Sequence, residues 1–189
     1  VAMTELDPAR TALVLIDLQN GITALPTSPR TGADIVARTL PFVAKCRAAG
    51  VLVVPVHVGW HADFGDALRQ QVDAPGNHGK LPDDWLNFVE GLVQPGDVTI
   101  IKRQWSAFHG TELDLQLRRR GITNIVLCGI ATNIGVESTA RQAWEHGYQL
   151  VLAEDLCTSL GEGAHEFAIK TIFPRLGLVR QSAEISFKA

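Results

Sequence analysis

The sequence predicts an α/β protein, a three-layer αβα sandwich in which helices cover both faces of a six-stranded parallel sheet. Short runs rich in β-branched and other apolar residues alternate along the chain with segments of helical periodicity. Glycines stand where a helix has to end before the next strand begins, at Gly50, Gly121 and Gly147. Because the runs are apolar throughout, and not alternately apolar and polar, we expect both faces of the sheet to be buried.

Each element of this fold follows from a local pattern. Six apolar runs predict the strands, at residues 11–16, 51–58, 98–101, 124–128, 148–153 and 178–180. Four segments have apolar residues at helical spacing, at residues 33–49, 111–119, 135–146 and 164–173. The stretch 60–96 follows neither pattern and is rich in proline and glycine, which favours a loop with short helical pieces. Long excursions of this kind in compact chains often lie over a functional site.

Length and composition indicate one ordinary globular domain over residues 1–189. The net charge is -3, and no basic stripe of the kind that binds nucleic acid is present. No apolar run reaches the roughly 20 residues that span a bilayer, so no membrane partner is expected. The 3 cysteines are odd in number and lack paired spacing, which predicts a reduced, cytoplasmic protein.

Charged residues follow two of the predicted strands at the point where each strand ends. Asp17 directly follows the first run, and Lys102 directly follows the third. Ligands of open parallel sheets bind beyond the carboxyl ends of the strands. Taken singly, Asp17 is as readily a turn or N-cap residue as a site residue, and Lys102 is more readily a surface cation than a site residue. If their strands are neighbours, the two residues face one crevice, where an ion pair would lower the pKa of Asp17 and burial would raise it.

Three separated motifs resemble the signature of the isochorismatase-like hydrolases, also called the cysteine hydrolase superfamily. They occur in the family's order: Asp17-Leu18-Gln19, Lys102 before Ser106-Ala107-Phe108, and Gly129-Ile130-Ala131-Thr132-Asn133 at the start of a helix. The resemblance extends from about residue 11 to about residue 180. It implies a small-molecule substrate, catalysis by an aspartate, a lysine and a cysteine, and a cis peptide bond before Ala131. It also implies an oxyanion hole built from the N–H groups of Ala131 and Gly135.

Gly135 stands where members of this family usually have the nucleophilic cysteine. A glycine cannot form a thioester, and the three cysteines lie elsewhere in the chain, so covalent amide hydrolysis is not expected. True isochorismatases resemble this chain in having glycine at that position. The resemblance of this chain to the true isochorismatases implies that Asp17 is an acid that protonates a vinyl ether, and that Lys102 orients the substrate carboxylate and a water molecule.

Other interpretations stay open, because the sequence Ala131-Thr132-Asn133 resembles the amidase branch more closely than the isochorismatases proper. On that basis the chain is an altered or relic amidohydrolase that descends from a thiol enzyme, or an engineered inactive variant. A third interpretation, from a different class, is a non-catalytic small-molecule binding protein or assembly subunit.

Substrate contacts, metal binding and assembly complete the expectations. Substrate contacts are expected from residues near the strand ends and in the third motif, namely Gln19, Trp60, Trp85, Trp105, Phe108, Thr132 and Asn133. Zinc-binding members of the family have an Asp-x-His…His site after the second strand. Here Pro55 takes the place of that aspartate, although His57, His61, Asp63 and His78 are nearby. We therefore assign the histidines to structural or substrate contacts and expect no metal or cofactor. The resemblance also implies a homodimer or homotetramer.

Overall fold

A six-stranded sheet flanked by helices forms the body of the protein in a computed structural model that describes residues 3–76 and 79–189. The strands are β1 (Thr4–Leu6), β2 (Thr11–Ile16), β3 (Leu52–Val58), β4 (Ile100–Lys102), β5 (Asn124–Ile130), β6 (Gln149–Thr158), β7 (Leu178–Arg180) and β8 (Ile185–Phe187). The α-helices are α1 (Asn20–Thr23), α2 (Gly32–Ala48), α3 (Leu113–Arg119), α4 (Glu137–Glu145), α5 (Ala164–Phe167) and α6 (Phe173–Leu176). Short 3₁₀ turns lie at Pro8–Arg10 and Ser182–Glu184, and π-helical turns at Thr132–Val136 and Ala168–Ile172.

The main sheet has the order β4-β3-β2-β5-β6-β7, and all its neighbouring strands are parallel. The predicted three-layer fold with a six-stranded parallel sheet is confirmed. All six residues of β2 are buried, because this strand lies in the middle of the sheet. The strand order reverses between β2 and β5, and that reversal marks the place where ligands of open α/β sheets bind.

Several element boundaries differ from the prediction. Strand β4 begins at Ile100, two residues later than expected, and β6 continues as far as Thr158. The predicted helix 135–146 is preceded by a π-helical turn, and the predicted helix 164–173 is divided between α5, a π-helical turn and α6. A separate two-stranded parallel sheet, β1 with β8, was not predicted, because each strand has only three residues and too little periodicity to detect. Every helix in the described part of the chain is too short or too polar to cross a bilayer.

The long connection between β3 and β4 is irregular, as predicted, and Gln19 contacts both this connection and the sheet. The amide of Gln19 donates to the carbonyl oxygen of Val58 at 2.9 Å and accepts from the Val58 N–H at 2.8 Å. The backbone of Gln19 also forms an antiparallel bridge with Phe88 of the connection. Gln19 therefore bonds to β3 as a neighbouring strand would, and the backbone around it holds residues 85–89 beside the carboxyl ends of the strands.

Replacing Gly129 with alanine is expected to lower the free energy of unfolding by about 2–5 kcal/mol. Gly129 has φ 127°, and a Cβ placed on it would lie 2.2 Å from the carbonyl oxygen of Ile16 in the adjacent strand. Chemical denaturation measures the loss. Gly121→Ala is the matched control, because Gly121 has φ 68° but open space around it, and only about 1 kcal/mol is expected there. Equal losses in the two variants would contradict the steric argument.

Candidate active site

Asp17 and Lys102 are in direct contact at the carboxyl edge of the sheet, although the strands that carry them are not neighbours. Strand β3 lies between β2 and β4, so the long side chain of Lys102 has to span its end. Lys102 Nζ donates to Asp17 Oδ2 at 2.9 Å and to the carbonyl oxygen of Gln104 at 3.1 Å. Both side chains are almost fully buried. The crevice expected from the sequence is present, but it is formed across an intervening strand and not between adjacent ones.

The environment of Asp17 favours its protonated form. Its φ of 53° is a left-handed conformation that residues other than glycine seldom adopt, and its N–H donates to the carbonyl oxygen of Val56 at 2.9 Å. Asp17 Oδ1 is buried and has no hydrogen-bond partner among the described residues. Burial raises the pKa of Asp17 to about 6, and the neighbouring Lys102 offsets only part of this effect. Asp17 can therefore both hold and release a proton near neutral pH.

The turn that follows β5 reaches the same place. The Ile130–Ala131 peptide bond is cis, as the resemblance implied. Ala131 and Gly135 line one cavity together with Asp17 and Lys102. A Cβ placed on Gly135 would lie 3.5 Å from Lys102 Nζ and 3.3 Å from the carbonyl oxygen of Trp105. With Ile16 Cγ2 at 3.1 Å as well, the position has room for little more than one carbon atom beside the lysine ammonium.

A cavity of about 470 Å³ extends from the buried pair, a size suited to a small organic ligand. Trp60, Trp85 and Trp105 line it. The rest of the apolar wall comes mainly from residues that sequence reasoning missed, namely Ile22, Leu25, Leu68, Leu81, Ile134 and Leu160. Ile22 lies in α1, Ile134 lies in the π-helical turn and the four leucines lie in separate loops, so no local pattern marks these residues as a group.

The four other residues expected to contact substrate lie outside this lining. The amide of Gln19 is bound to the backbone of β3. Phe108 is buried and packs against the buried Tyr148 and the exposed His146. Asn133 Oδ1 accepts a hydrogen bond from Ser159 Oγ, and the Thr132 hydroxyl is turned toward a buried histidine.

That histidine belongs to a buried polar chain that sequence reasoning also missed. His165 Nδ1 is 2.7 Å from Thr132 Oγ1, and His165 Nε2 is 2.8 Å from Glu154 Oε1. Arg30 and Gln181 also donate to the Glu154 carboxylate. Hydrogen bonding, from His165 above all, lowers the pKa of Glu154 to about 2. This network of hydrogen bonds holds Thr132, the residue that follows Ala131. The network was not predicted because its members are far apart in the sequence, with 124 positions between Arg30 and Glu154.

The histidines at the end of β3 and in the connection after it have structural partners. His57 Nδ1 is 2.8 Å from a loop carbonyl oxygen, its ring stacks on Phe88 at 4.1 Å, and burial lowers its pKa. His61 is exposed, with Nε2 3.7 Å from Asp66 Oδ2. His78 lies outside the described residues. Over residues 3–76 and 79–189, no three histidine, cysteine or acidic side chains are grouped closely enough to hold a metal ion.

The three cysteines are free and buried. Burial raises the pKa of the Cys46 and Cys157 thiols to about 12, and that of Cys128 well above its ordinary value. Cys128 lies inside β5, and Cys157 Sγ donates to the carbonyl oxygen of Ala153 within β6. A buried thiol with so high a pKa is a poor nucleophile, so none of these three cysteines is suited to nucleophilic catalysis.

The parallel sheet, with a buried acid–lysine pair at its carboxyl edge, defines an α/β protein with a candidate active site at the ends of its strands. Residues 11–184 match the isochorismatase domain. The chain is 52% identical over 184 residues to the uncharacterized isochorismatase family protein YecD of Escherichia coli O157:H7, covering 97% of this chain and 98% of YecD. It is 47% identical over 182 residues to the uncharacterized isochorismatase family protein YwoC of Bacillus subtilis strain 168, covering 95% and 94%. The structure of an isochorismatase family protein from Burkholderia thailandensis matches with a TM-score of 0.92 and 47% identity over 97% of each chain. The chain belongs to the isochorismatase family.

Proposed function

We propose that the protein hydrolyses a small carboxylate-bearing vinyl ether by proton transfer, with no covalent intermediate. The observation that carries this proposal is the state of Asp17, a buried carboxyl with a pKa of about 6 and an oxygen that has no partner in the described chain. A general acid works best when its pKa is close to the pH at which it operates. The absence of a side chain at Gly135 does not affect this chemistry, because no nucleophilic residue takes part.

Asp17 acts first as an acid and then as a base. Protonated Asp17 donates its proton to the terminal vinyl carbon, and the electron pair of the double bond forms the new C–H bond. The product of this step is an oxocarbenium ion, which a water molecule attacks at the ether carbon. The added water gives a proton back to the Asp17 carboxylate, and the resulting hemiketal expels the alcohol to leave a ketone.

Lys102 and the turn after β5 orient the reactants. Lys102 uses two of its three N–H donors on Asp17 and Gln104, so one remains for the substrate carboxylate or the attacking water. Gly135 and Lys102 line the same cavity, so a water bound in the cavity beside Gly135 can lie within reach of Lys102 Nζ. A substrate carboxylate close to Asp17 would also favour the protonated acid. The N–H groups of Ala131 and Gly135 are the proposed donors to oxyanions formed on the substrate.

The pH dependence of turnover tests this mechanism. With isochorismate and simple 2-alkoxyacrylates as substrates, we expect kcat/KM to be constant below about pH 6 and to fall about tenfold per pH unit above it. The fall reflects loss of the protonated form of Asp17, whose pKa is about 6. Pyruvate release measured from pH 4 to pH 8, corrected for the uncatalysed reaction, gives the profile. Failure to hydrolyse any member of the panel, or a rate that increases above pH 6, would contradict the proposal.

A second candidate function is that of an altered amidohydrolase. The observation that favours it is the position of Gly135. An added Cβ there would lie 3.5 Å from Lys102 Nζ, so a thiol attached to it would lie close to the ammonium. A non-catalytic binding role, cytoplasmic localisation and assembly into a homodimer or homotetramer stay predictions.

A further inference from the structure

We infer that the substrate joins one carboxylate-bearing reactive group to a bulky, apolar body of aromatic size, and that the tryptophan wall, Trp60 and Trp85, binds this body. The inference rests on the proposed function only for the nature of the reactive group. The apolar body follows from the lining of the cavity, in which aromatic, leucine and isoleucine side chains outnumber the charged and amide ones.

The described lining of the cavity has few charged or amide side chains. Four of its lining residues have charged or amide side chains, namely Asp17, Lys102, Arg103 and Gln104. Arg103 is bound to Asp66 at 2.9 Å and also donates to a loop carbonyl oxygen, while the Gln104 amide donates to another backbone carbonyl. Arg103 keeps N–H donors that these two bonds do not use, but its charge is already paired with Asp66, whereas the Asp17–Lys102 pair has an unpartnered carboxyl oxygen and an unused ammonium donor. A second anionic group on a ligand would compete with Asp66 for Arg103 or be desolvated among the leucines, in either case at a cost in affinity.

The tryptophan wall is held in place before any ligand binds. The two rings lie 5.7 Å apart at 34°. Trp60 Nε1 donates to the carbonyl oxygen of Arg103 at 2.7 Å, which fixes that indole. The ring of Trp85 rests directly on the backbone of Gly21, where a Cβ would come within 2.1 Å of Trp85 Cδ1. Preorganised aromatic surfaces bind apolar groups well, because little side-chain entropy is lost on binding.

The remaining wall and the size of the cavity favour a ring over a small alkyl group. Leu25, Leu68, Leu81 and Leu160 complete the lining around the two indoles. The volume of about 470 Å³ lies in the range that encloses drug-sized molecules. A methyl ether would leave most of this apolar surface in contact with water, whereas an aryl ether would cover it. The alcohol half of the substrate is therefore assigned to the aromatic or similarly bulky alcohols.

Binding of unreactive saturated ethers to the whole chain tests the inference without turnover. The probes share one carboxylate: 2-phenoxypropionate has a ring, 2-methoxypropionate has a methyl group, and 2,2′-oxydipropionate has a second carboxylate in place of the ring. By isothermal titration calorimetry we expect 2-phenoxypropionate to bind at least about tenfold more tightly than either of the others. Equal affinities, tighter binding of the dicarboxylate, or no binding of 2-phenoxypropionate would overturn the inference.

Variants locate the binding. Trp85→Ala should weaken 2-phenoxypropionate about tenfold. Leu68→Asp should weaken it about fivefold with little effect on folding, because Leu68 is 54% exposed. Trp144→Ala removes an exposed indole that lies outside the lining and should change nothing. If both Trp85→Ala and Leu68→Asp retained wild-type affinity, the assignment of the tryptophan wall would be wrong.

Turnover separates this inference from the proposed function. Selective binding of 2-phenoxypropionate with no hydrolysis of 2-phenoxyacrylate would support the substrate class and contradict the acid mechanism. Hydrolysis of 2-methoxyacrylate with the same kcat/KM as 2-phenoxyacrylate would support the mechanism and overturn the substrate class.

Discussion

The variant Asp17→Asn is expected to hydrolyse vinyl ethers about 10²–10⁴-fold more slowly than the wild type, because an amide cannot donate a proton to the vinyl carbon. The amide oxygen can still accept the hydrogen bond that Lys102 donates to Asp17 Oδ2 at 2.9 Å, so the local geometry should persist. The measurement is kcat/KM for 2-phenoxyacrylate at pH 5.5. Binding of 2-phenoxypropionate separates lost chemistry from lost affinity. Asp34→Asn, on the surface of α2, is the control and should have wild-type activity. Activity of Asp17→Asn close to the wild-type level would rule out Asp17 as the acid.

The same variant reports the energetic consequence of burying Asp17. In the wild type, the pKa of Asp17 rises from 3.8 to about 6 on folding. Between pH 3.8 and about pH 6, the unfolded chain therefore releases the Asp17 proton while the folded chain keeps it. The contribution of Asp17 to stability is therefore complete below about pH 4 and is lost as the pH rises to about 6, by about 3 kcal/mol in total. The free energy of unfolding of the wild type, minus that of Asp17→Asn, should fall over this window. A difference that increases with pH there would show that Lys102 dominates over burial.

The variant Gly135→Cys is expected to gain a reactive thiol of lowered pKa. A Cβ at this position meets Ile16 Cγ2 at 3.1 Å, a contact that requires a shift of a few tenths of an ångström, and lies 3.5 Å from Lys102 Nζ. The ammonium stabilises a thiolate, whereas the three native cysteines are buried. At pH 7 we expect alkylation by iodoacetamide about tenfold faster than at an exposed thiol introduced by Glu145→Cys. Small amides should then be hydrolysed by this variant and not by the wild type.

A double variant tests the origin of this reactivity. Adding Lys102→Met to Gly135→Cys removes the ammonium, and the pH at which alkylation reaches half its maximal rate should return to the ordinary thiol range or above it. A thiol in Gly135→Cys that already titrates near pH 8.5, with no amide hydrolysis, would count against descent from an amidohydrolase.

The reactive end of the site could be predicted because it depends on strand ends, and strand ends are visible in the sequence. Apolar runs place Asp17 and Lys102 at the carboxyl edge, where parallel strands bring their last residues together. The order of the strands is not encoded locally. For that reason the position of β3 between the strands that carry Asp17 and Lys102 appeared only in the structure.

The apolar end of the site could not be predicted, because it depends on where irregular loops lie. Leu25, Leu68, Leu81 and Leu160 are distant in sequence and have no shared period, yet they line one cavity. The direction of a side chain after a strand is equally hard to infer. Gln19 follows Asp17 by two positions, but its amide bonds to β3 and not to the cavity. Phe108 similarly packs in the core, near Tyr148.

Gln19 lies at the boundary between two parts of the candidate site, because it bonds both to β3 and to the connection after it. Asp17, the proposed proton donor, directly follows β2 and Lys102 ends β4, whereas Trp60 and Trp85 of the tryptophan wall belong to the connection between β3 and β4. On the proposed mechanism, a change of length or composition in that connection is expected to alter which alcohols bind while Asp17 stays in place. The proposed chemistry and the selectivity for the alcohol can therefore diverge independently. If the connection of a relative replaced residues 59–99 while Gln19 was kept, we expect the alcohol preference of that relative to be transferred to this chain.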